Sequence, residues 1–268
     1  MWFYNFNLYW KLVVKILFFK DINKKRVPYK DTIMSYIKIL DEISKKWIFI
    51  LCLMCLGFRC TSVKSRQSFE GIITYVTDIK HQESRADDEY FKYINQKYGD
   101  TIRIYHSKTG HRKIEYYQSG TYGLVYSTYN QKENRYYTKW KTIDTIYSSS
   151  AADNSLQLIS RRKGDNMQIM GYKCKSIIIK ATDKLSANKD TVTQKLYYAG
   201  YPYIDPKLYI DYKDFYNAEN YREFRSPYLK GVFDFGPYIL SYTAINIKTQ
   251  VLDSTIFKID KGIPIKRQ

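Results

Sequence analysis

His81, His106 and His111 are the only histidines among the 268 residues, and they are the first place to look for acid–base or metal chemistry. His106 and His111 flank a Ser-Lys-Thr-Gly turn. Two imidazoles with no carboxylate or cysteine beside them make a poor ligand set for a metal, so this spacing predicts solvated turn residues. Asp87, Asp88 and Glu89 stand just ahead of a helical pattern. The helix dipole favours acids there and explains them without a cation. Ser148-Ser149-Ser150 reads as a loop with no base assigned to it. Cys174 sits in a strand-like run without a neighbouring histidine, which points to core packing and away from a nucleophile. The chain contains no G-x-S-x-G, H-E-x-x-H, P-loop or dinucleotide fingerprint. The expectation is a protein with no catalytic residue, no metal and no cofactor, and so not an enzyme.

The chemical oddity is tyrosine, present 29 times. Tyr105, Tyr116, Tyr122, Tyr126, Tyr136, Tyr197, Tyr198, Tyr238 and Tyr242 all fall in predicted strands. Sheet propensity accounts for such a pattern. The functional alternative has rings lining a concave sheet face that takes an apolar chain, with hydroxyls at the rim. The residues assigned to that lining are Tyr75, Tyr105, Tyr116, Tyr126, Tyr197 and Tyr242.

The elements that would position them are mostly strands. Ser68 to Lys80 alternates Phe69, Ile73, Tyr75 and Ile79 on one parity. Asp87 to Gly99 spaces Phe91, Ile94 and Tyr98 as an amphipathic helix that Gly99 closes. A meander follows: Thr101 to His106, His111 to Tyr117, Tyr122 to Tyr129 and Arg135 to Trp140, joined by Gly-, Asn- and Ser-bearing turns. Met167 to Ala181 contains the most apolar strand, Ile177 to Ile179, and Thr191 to Ala199, Tyr238 to Lys248 and Val251 to Asp260 read as further strands. Asp205-Pro206 opens a second helix with Leu208, Tyr212, Phe215 and Tyr216 on its inner face. The pattern predicts a mainly β, α+β domain: an open antiparallel half-barrel of roughly ten strands with one or two covering helices. No βαβ rhythm and no repeat is visible.

The first sixty residues read differently. Trp47 to Phe58 is an apolar run of twelve after Lys45-Lys46, too short to span a membrane, which takes about 20 residues, and suited to the core of a secretory signal. Met34 opens an ordinary-length signal, so the expected organisation is an upstream extension over 1–33, a signal peptide over 34–62 and one half-barrel domain over 63–268. Arg59 before Cys60 disfavours lipidation at Cys60, since a small residue is wanted there. The formal charge is +18; eleven Lys/Arg and four Asp/Glu in residues 1–62 leave +11 on the remainder. That charge is scattered through turns instead of gathered on one face, so no nucleic acid is expected. Peripheral attraction to an anionic membrane surface fits it better.

Phe69-Glu70-Gly71-Ile72-Ile73-Thr74-Tyr75, then Met170 to Lys175, then Asp253 to Pro264 resemble a group of uncharacterised exported proteins of Bacteroidetes type. That group is related to GLPGLI-type proteins and more remotely to the lipoprotein-carrier superfamily of LolA, LolB, LppX and RseB. The GLPGLI box itself is absent, and its nearest counterpart is Phe235 to Leu240. The resemblance implies a half-barrel whose concave face is covered by helices and often holds an acyl chain, with no catalytic residues. The expected function is an exported periplasmic or outer-membrane-associated protein that binds a lipid-like or apolar ligand without catalysis. The alternative is an envelope interaction or sensor module docking a partner protein, and the third an enzyme acting on envelope components.

Overall fold

The computed structural model describes residues 66–82, 88–184, 186 and 190–268. The expected extension, signal and Cys60, with Asp87, lie outside the described residues. Twelve strands form one sheet: β1 (Gly71–His81), β2 (Thr101–His106), β3 (Arg112–Tyr117), β4 (Leu124–Asn130), β5 (Arg135–Trp140), β6 (Ile146–Ser150), β7 (Leu156–Ile169), β8 (Tyr172–Asp183), β9 (Thr191–Tyr198), β10 (Tyr228–Asp234), β11 (Tyr238–Thr249) and β12 (Ile265–Arg267). Their order is β12-β6-β5-β4-β3-β2-β1-β11-β10-β9-β8-β7. Every neighbouring pair is antiparallel except β12 with β6. The two ends, β12 and β7, do not pair, so the sheet is an open half-barrel. β1 lies at its centre, and its pairing with β11 from Gly71↔Thr249 to His81↔Tyr238 joins the two meanders.

Two segments cover one face. Helix α1 (Asp88–Tyr98) fills the β1–β2 connection and buries Ile94. The β9–β10 connection carries two short 3₁₀ turns, Pro206–Tyr209 and Asp214–Tyr216, and then helix α2 (Asn217–Phe224). Both covers share one core with the sheet: Ile73, Tyr75, Ile94, Ile102, Ile104, Tyr129, Tyr209, Tyr212 and Tyr221 belong to it.

Several expectations are corrected. Ser148-Ser149-Ser150 is not a loop but the end of β6, where Ser148 is buried and its hydroxyl and carbonyl accept from the Arg135 guanidinium; ladders on both sides outweigh serine's weak strand propensity. Met167 to Ala181 spans two strands: Ile177 to Ile179 lie in β8, and the positive φ of Met170 and Gly171 makes a tight hairpin turn between β7 and β8. Val251 to Asp260 holds a 3₁₀ turn, Ser254–Phe257, capped by Asp253. Tyr122 lies in a turn at 58% exposure, ahead of β4. The second helix begins later than expected, because Phe215 and Tyr216 adopt left-handed φ and split the segment.

Gly99 ends α1 at φ +69, and a Cβ there would lie 2.0 Å from the Tyr117 carbonyl oxygen. Gly200 has the same φ of +69 with nothing within 4 Å. Gly200→Ala is therefore expected to cost only the left-handed backbone term, about 1–2 kcal/mol. Gly99→Ala adds a backbone clash to that term and should be the more destabilising of the two. Thermal unfolding of the two variants checks the order, and equal losses would refute it.

Candidate functional site

Strand β3 supplies the axis of the site. Side chains alternate along a strand, so Arg112, Ile114 and Tyr116 share the covered face. Arg112 stands opposite His106 of β2 and Tyr129 of β4, and Tyr129 stands opposite Tyr136 of β5. Over this row the β9–β10 segment lowers three more rings. Tyr212 stacks on Tyr129 with centroids 4.4 Å apart and meets Tyr136 edge-on at 5.5 Å. Tyr209 stacks on Tyr221 at 4.3 Å. The cover is pinned at its rims, where the Lys213 amide donates to the Ala151 carbonyl at 2.8 Å and the Phe69 amide to the Tyr203 carbonyl at 2.7 Å. Arg161 also reaches α2, donating to Asn220 and to Glu223.

Arg112 is buried, and its guanidinium is held by phenols. Nη2 donates to the Tyr212 hydroxyl at 2.6 Å, Nη1 to the Tyr221 hydroxyl at 3.5 Å, and the charge lies 5.3 Å from the Tyr212 ring centre. The Tyr136 hydroxyl also donates to that of Tyr212. No described carboxylate forms an ion pair with Arg112; the described pairs are Lys113–Glu115, Arg161–Glu223 and Lys195–Asp165. Its hydrogen-bond acceptors are neutral, and the Asp214 carboxylate acts on it only through space; a buried charge so held is energetically expensive. His106, opposite it, is 1% exposed and neither ring nitrogen has a hydrogen-bond partner. Burial, reinforced by the Arg112 charge, pushes its pKa down to about 3 and keeps the imidazole neutral. The Tyr209 hydroxyl is likewise buried and unpartnered. His106 is thus no solvated turn residue: its parity on β2 turns it inward.

Farther along β3 the covers thin out. Ile114 and Tyr116, with Ile79 of β1 and Tyr228 and Phe233 of β10, pack against the core but remain half-buried. Tyr116 and Tyr228 keep some exposed surface, yet burial pushes both hydroxyls up, that of Tyr228 to about 12. Together they form an apolar floor that α1 and the β9–β10 segment cover only in part.

Of the six tyrosines assigned to a lining, Tyr75, Tyr116 and Tyr242 face the covered side, Tyr75 with its hydroxyl donating to the Tyr228 carbonyl at 2.7 Å. Tyr105 and Tyr126 point the other way, whereas Tyr197 is buried in the same core as Tyr75 and Tyr242. The hydroxyls of Tyr105, Tyr126 and Tyr197 donate to Glu115 at 2.7 Å, Asp260 at 3.0 Å and Asp165 at 3.1 Å. Burial alone would raise Glu115, but the hydroxyls of Tyr117 and Tyr105 and the Lys113 ammonium bring its carboxyl below the ordinary range. Arg112, His106, Tyr209, Tyr221 and Tyr228 were not among the residues assigned to the lining. For Arg112 and His106 the signal was strand parity, which places Arg112 with Ile114 and Tyr116, and His106 with Ile104.

Two surface hollows lie elsewhere. One of about 620 Å³ is lined by Lys108, His111, Lys132, Glu133, Phe257 and Lys261, and one of about 410 Å³ by Thr138, Trp140, Tyr147 and Gln268. Both are partly open to solvent, and the first combines charges of either sign with Val251, Leu252, Phe257 and Ile259.

No family model matches the chain. No curated protein matches it. Among solved structures it is similar to the Mycobacterium tuberculosis lipoprotein LppX, with 7% identity and a TM-score of 0.33, over 68% of this chain and 89% of that one.

Proposed function

We propose that this is an exported cell-envelope protein that binds a lipid-like, apolar ligand without catalysis. The observation that carries the reading is the half-open apolar floor of Ile79, Ile114, Tyr116, Tyr228 and Phe233 between two covers. The deeper part of the same face is filled by the protein's own tyrosines, so a chain longer than the floor displaces part of the β9–β10 cover. The left-handed pair Phe215 and Tyr216 marks where that segment changes direction. Export rests on the leader pattern, and among the described residues of the covered face no nucleophile is paired with an oriented base. The full chain, purified from its envelope, is expected to release lipid on extraction and mass spectrometry and to take up a fluorescent fatty acid. Failure of both would reject the reading.

A second reading has its own observation. β7 is fourteen residues long and ends the sheet, pairing on one side with β8 alone, and Leu158, Ile159 and Met167 are exposed on it. Such an edge adds a partner's strand, and Arg162 and Lys163 at its middle favour an acidic one. A stoichiometric protein partner recovered without lipid from envelope fractions would favour this reading over the first.

A further inference from the structure

We propose that Arg112 is the subsite for the anionic end of an amphiphile whose apolar chain lies along β3 over Ile114 and Tyr116. This rests on the ligand-binding reading above and adds the ligand's head-group chemistry. The first observation is the guanidinium itself, buried at the closed end of the apolar floor with phenol oxygens as its hydrogen-bond acceptors and no described carboxylate paired to it. Asp214 acts on this charge only through space; an oxyanion supplies a directly bonded counter-charge, and charge-assisted bonds to a guanidinium are about twice as strong as neutral ones. The second, independent observation is the pair of orphaned polar groups beside it. His106 at 1% and Tyr209 at 0% exposure carry ring nitrogens and a hydroxyl with no partner. A neutral imidazole offers one N–H and a phenol one O–H, so both are donors to the same oxyanion. Buried groups of this kind are normally satisfied, and their clustering around one unpaired cation marks a place that an acceptor fills.

The geometry also sets the ligand's length. Arg112 and Tyr116 are four positions apart on one strand, about 13 Å at strand rise, so a medium-length chain spans the floor with its head at the guanidinium. Carboxylate and phosphate heads share the required chemistry.

The test uses the full chain with three probes of equal chain length: dodecanoate, dodecyl phosphate and dodecanol. The wild type is expected to bind at least one of the two anions about tenfold or more tightly than the alcohol, a difference of about 1.4 kcal/mol. Whichever anion binds more tightly identifies the head group. In Arg112→Gln the preference for an anion should vanish while dodecanol still binds. Equal wild-type binding of all three overturns the head-group assignment and leaves the lipid reading standing. Binding of none of them overturns both. A retained anion preference in Arg112→Gln overturns the assignment as well. So does a gain in affinity for all three probes, which would make the guanidinium a latch for the cover. The wild-type comparison needs no variant, so it holds even if Arg112→Gln does not fold.

Discussion

Tyr212→Phe is expected to lower the unfolding free energy by about 1–3 kcal/mol, because it strips a buried charged donor of its acceptor. The Tyr212 ring would stay in place, stacked on Tyr129 and edge-on to Tyr136. What disappears is the oxygen that accepts from Arg112 Nη2 at 2.6 Å and from the Tyr136 hydroxyl. Tyr209→Phe provides the contrast. Its ring is as deeply buried and is stacked on Tyr221, but its hydroxyl has no partner. Removing an unsatisfied buried hydroxyl relieves a desolvation penalty, so Tyr209→Phe should be neutral or stabilising by up to about 1 kcal/mol. Urea unfolding of the two variants without added ligand measures the difference. The same loss in both would mean that the Arg112–Tyr212 bond contributes nothing beyond packing. With an anionic amphiphile present, Tyr209→Phe should bind it more weakly than the wild type, since the phenol is one of the subsite's donors.

The same face shows how far the sequence could be read. The first meander was legible almost to the residue, with Thr101–His106 and Arg135–Trp140 matching their strands end for end, because each turn carries the residues a hairpin demands. β7 was missed, since Leu156–Ile169 is polar and exposed along nearly its whole length and lacks the alternation that marks a half-buried strand. β6 and β12 were missed for a related reason: Ser148 and Ile265 are strand residues only because neighbours pair with them. Of the tyrosines assigned to a lining, Tyr75, Tyr116 and Tyr242 lie on the side the covers pack against. Tyr105 and Tyr126 lie on the other side, because tyrosine suits both sides of a sheet: its ring packs while its hydroxyl reaches a carboxylate. Arg112 was read with the charges scattered through turns, one of 44 basic residues, whereas it opens β3 and is buried. Its parity was readable, but nothing local tells that a cover will close over it from a hundred residues downstream.

His106 gives the molecule a built-in acid sensitivity that is expected to appear well above the range in which ordinary carboxylates titrate. Folded, its pKa is near 3, against 6.5 for a free imidazole, because burial and then the neighbouring Arg112 charge oppose the imidazolium. Between those values the unfolded chain holds a proton that the folded chain does not, so stability rises with pH across the window and is lost as pH falls through it. The loss begins below pH 6.5 and continues toward 3, at up to about 1.4 kcal/mol per unit, which amounts to about 2 kcal/mol at pH 5. His111 titrates with the same sign, since burial and Lys132 lower it also, but it is only half-buried and its share is smaller. Asp214 stands apart, because burial lifts its carboxyl above the ordinary value; being neutralised more readily when folded, it offsets part of the acid loss. The discriminating measurement is therefore a difference. Unfolding free energies of the wild type and of His106→Gln, followed from pH 7.5 to 4.5, should diverge in slope below about pH 6.5, with the variant the flatter of the two. Parallel slopes would mean that His106 is protonated in the folded state, which places an unseen acceptor beside it and removes the neutral N–H from the proposed anion site.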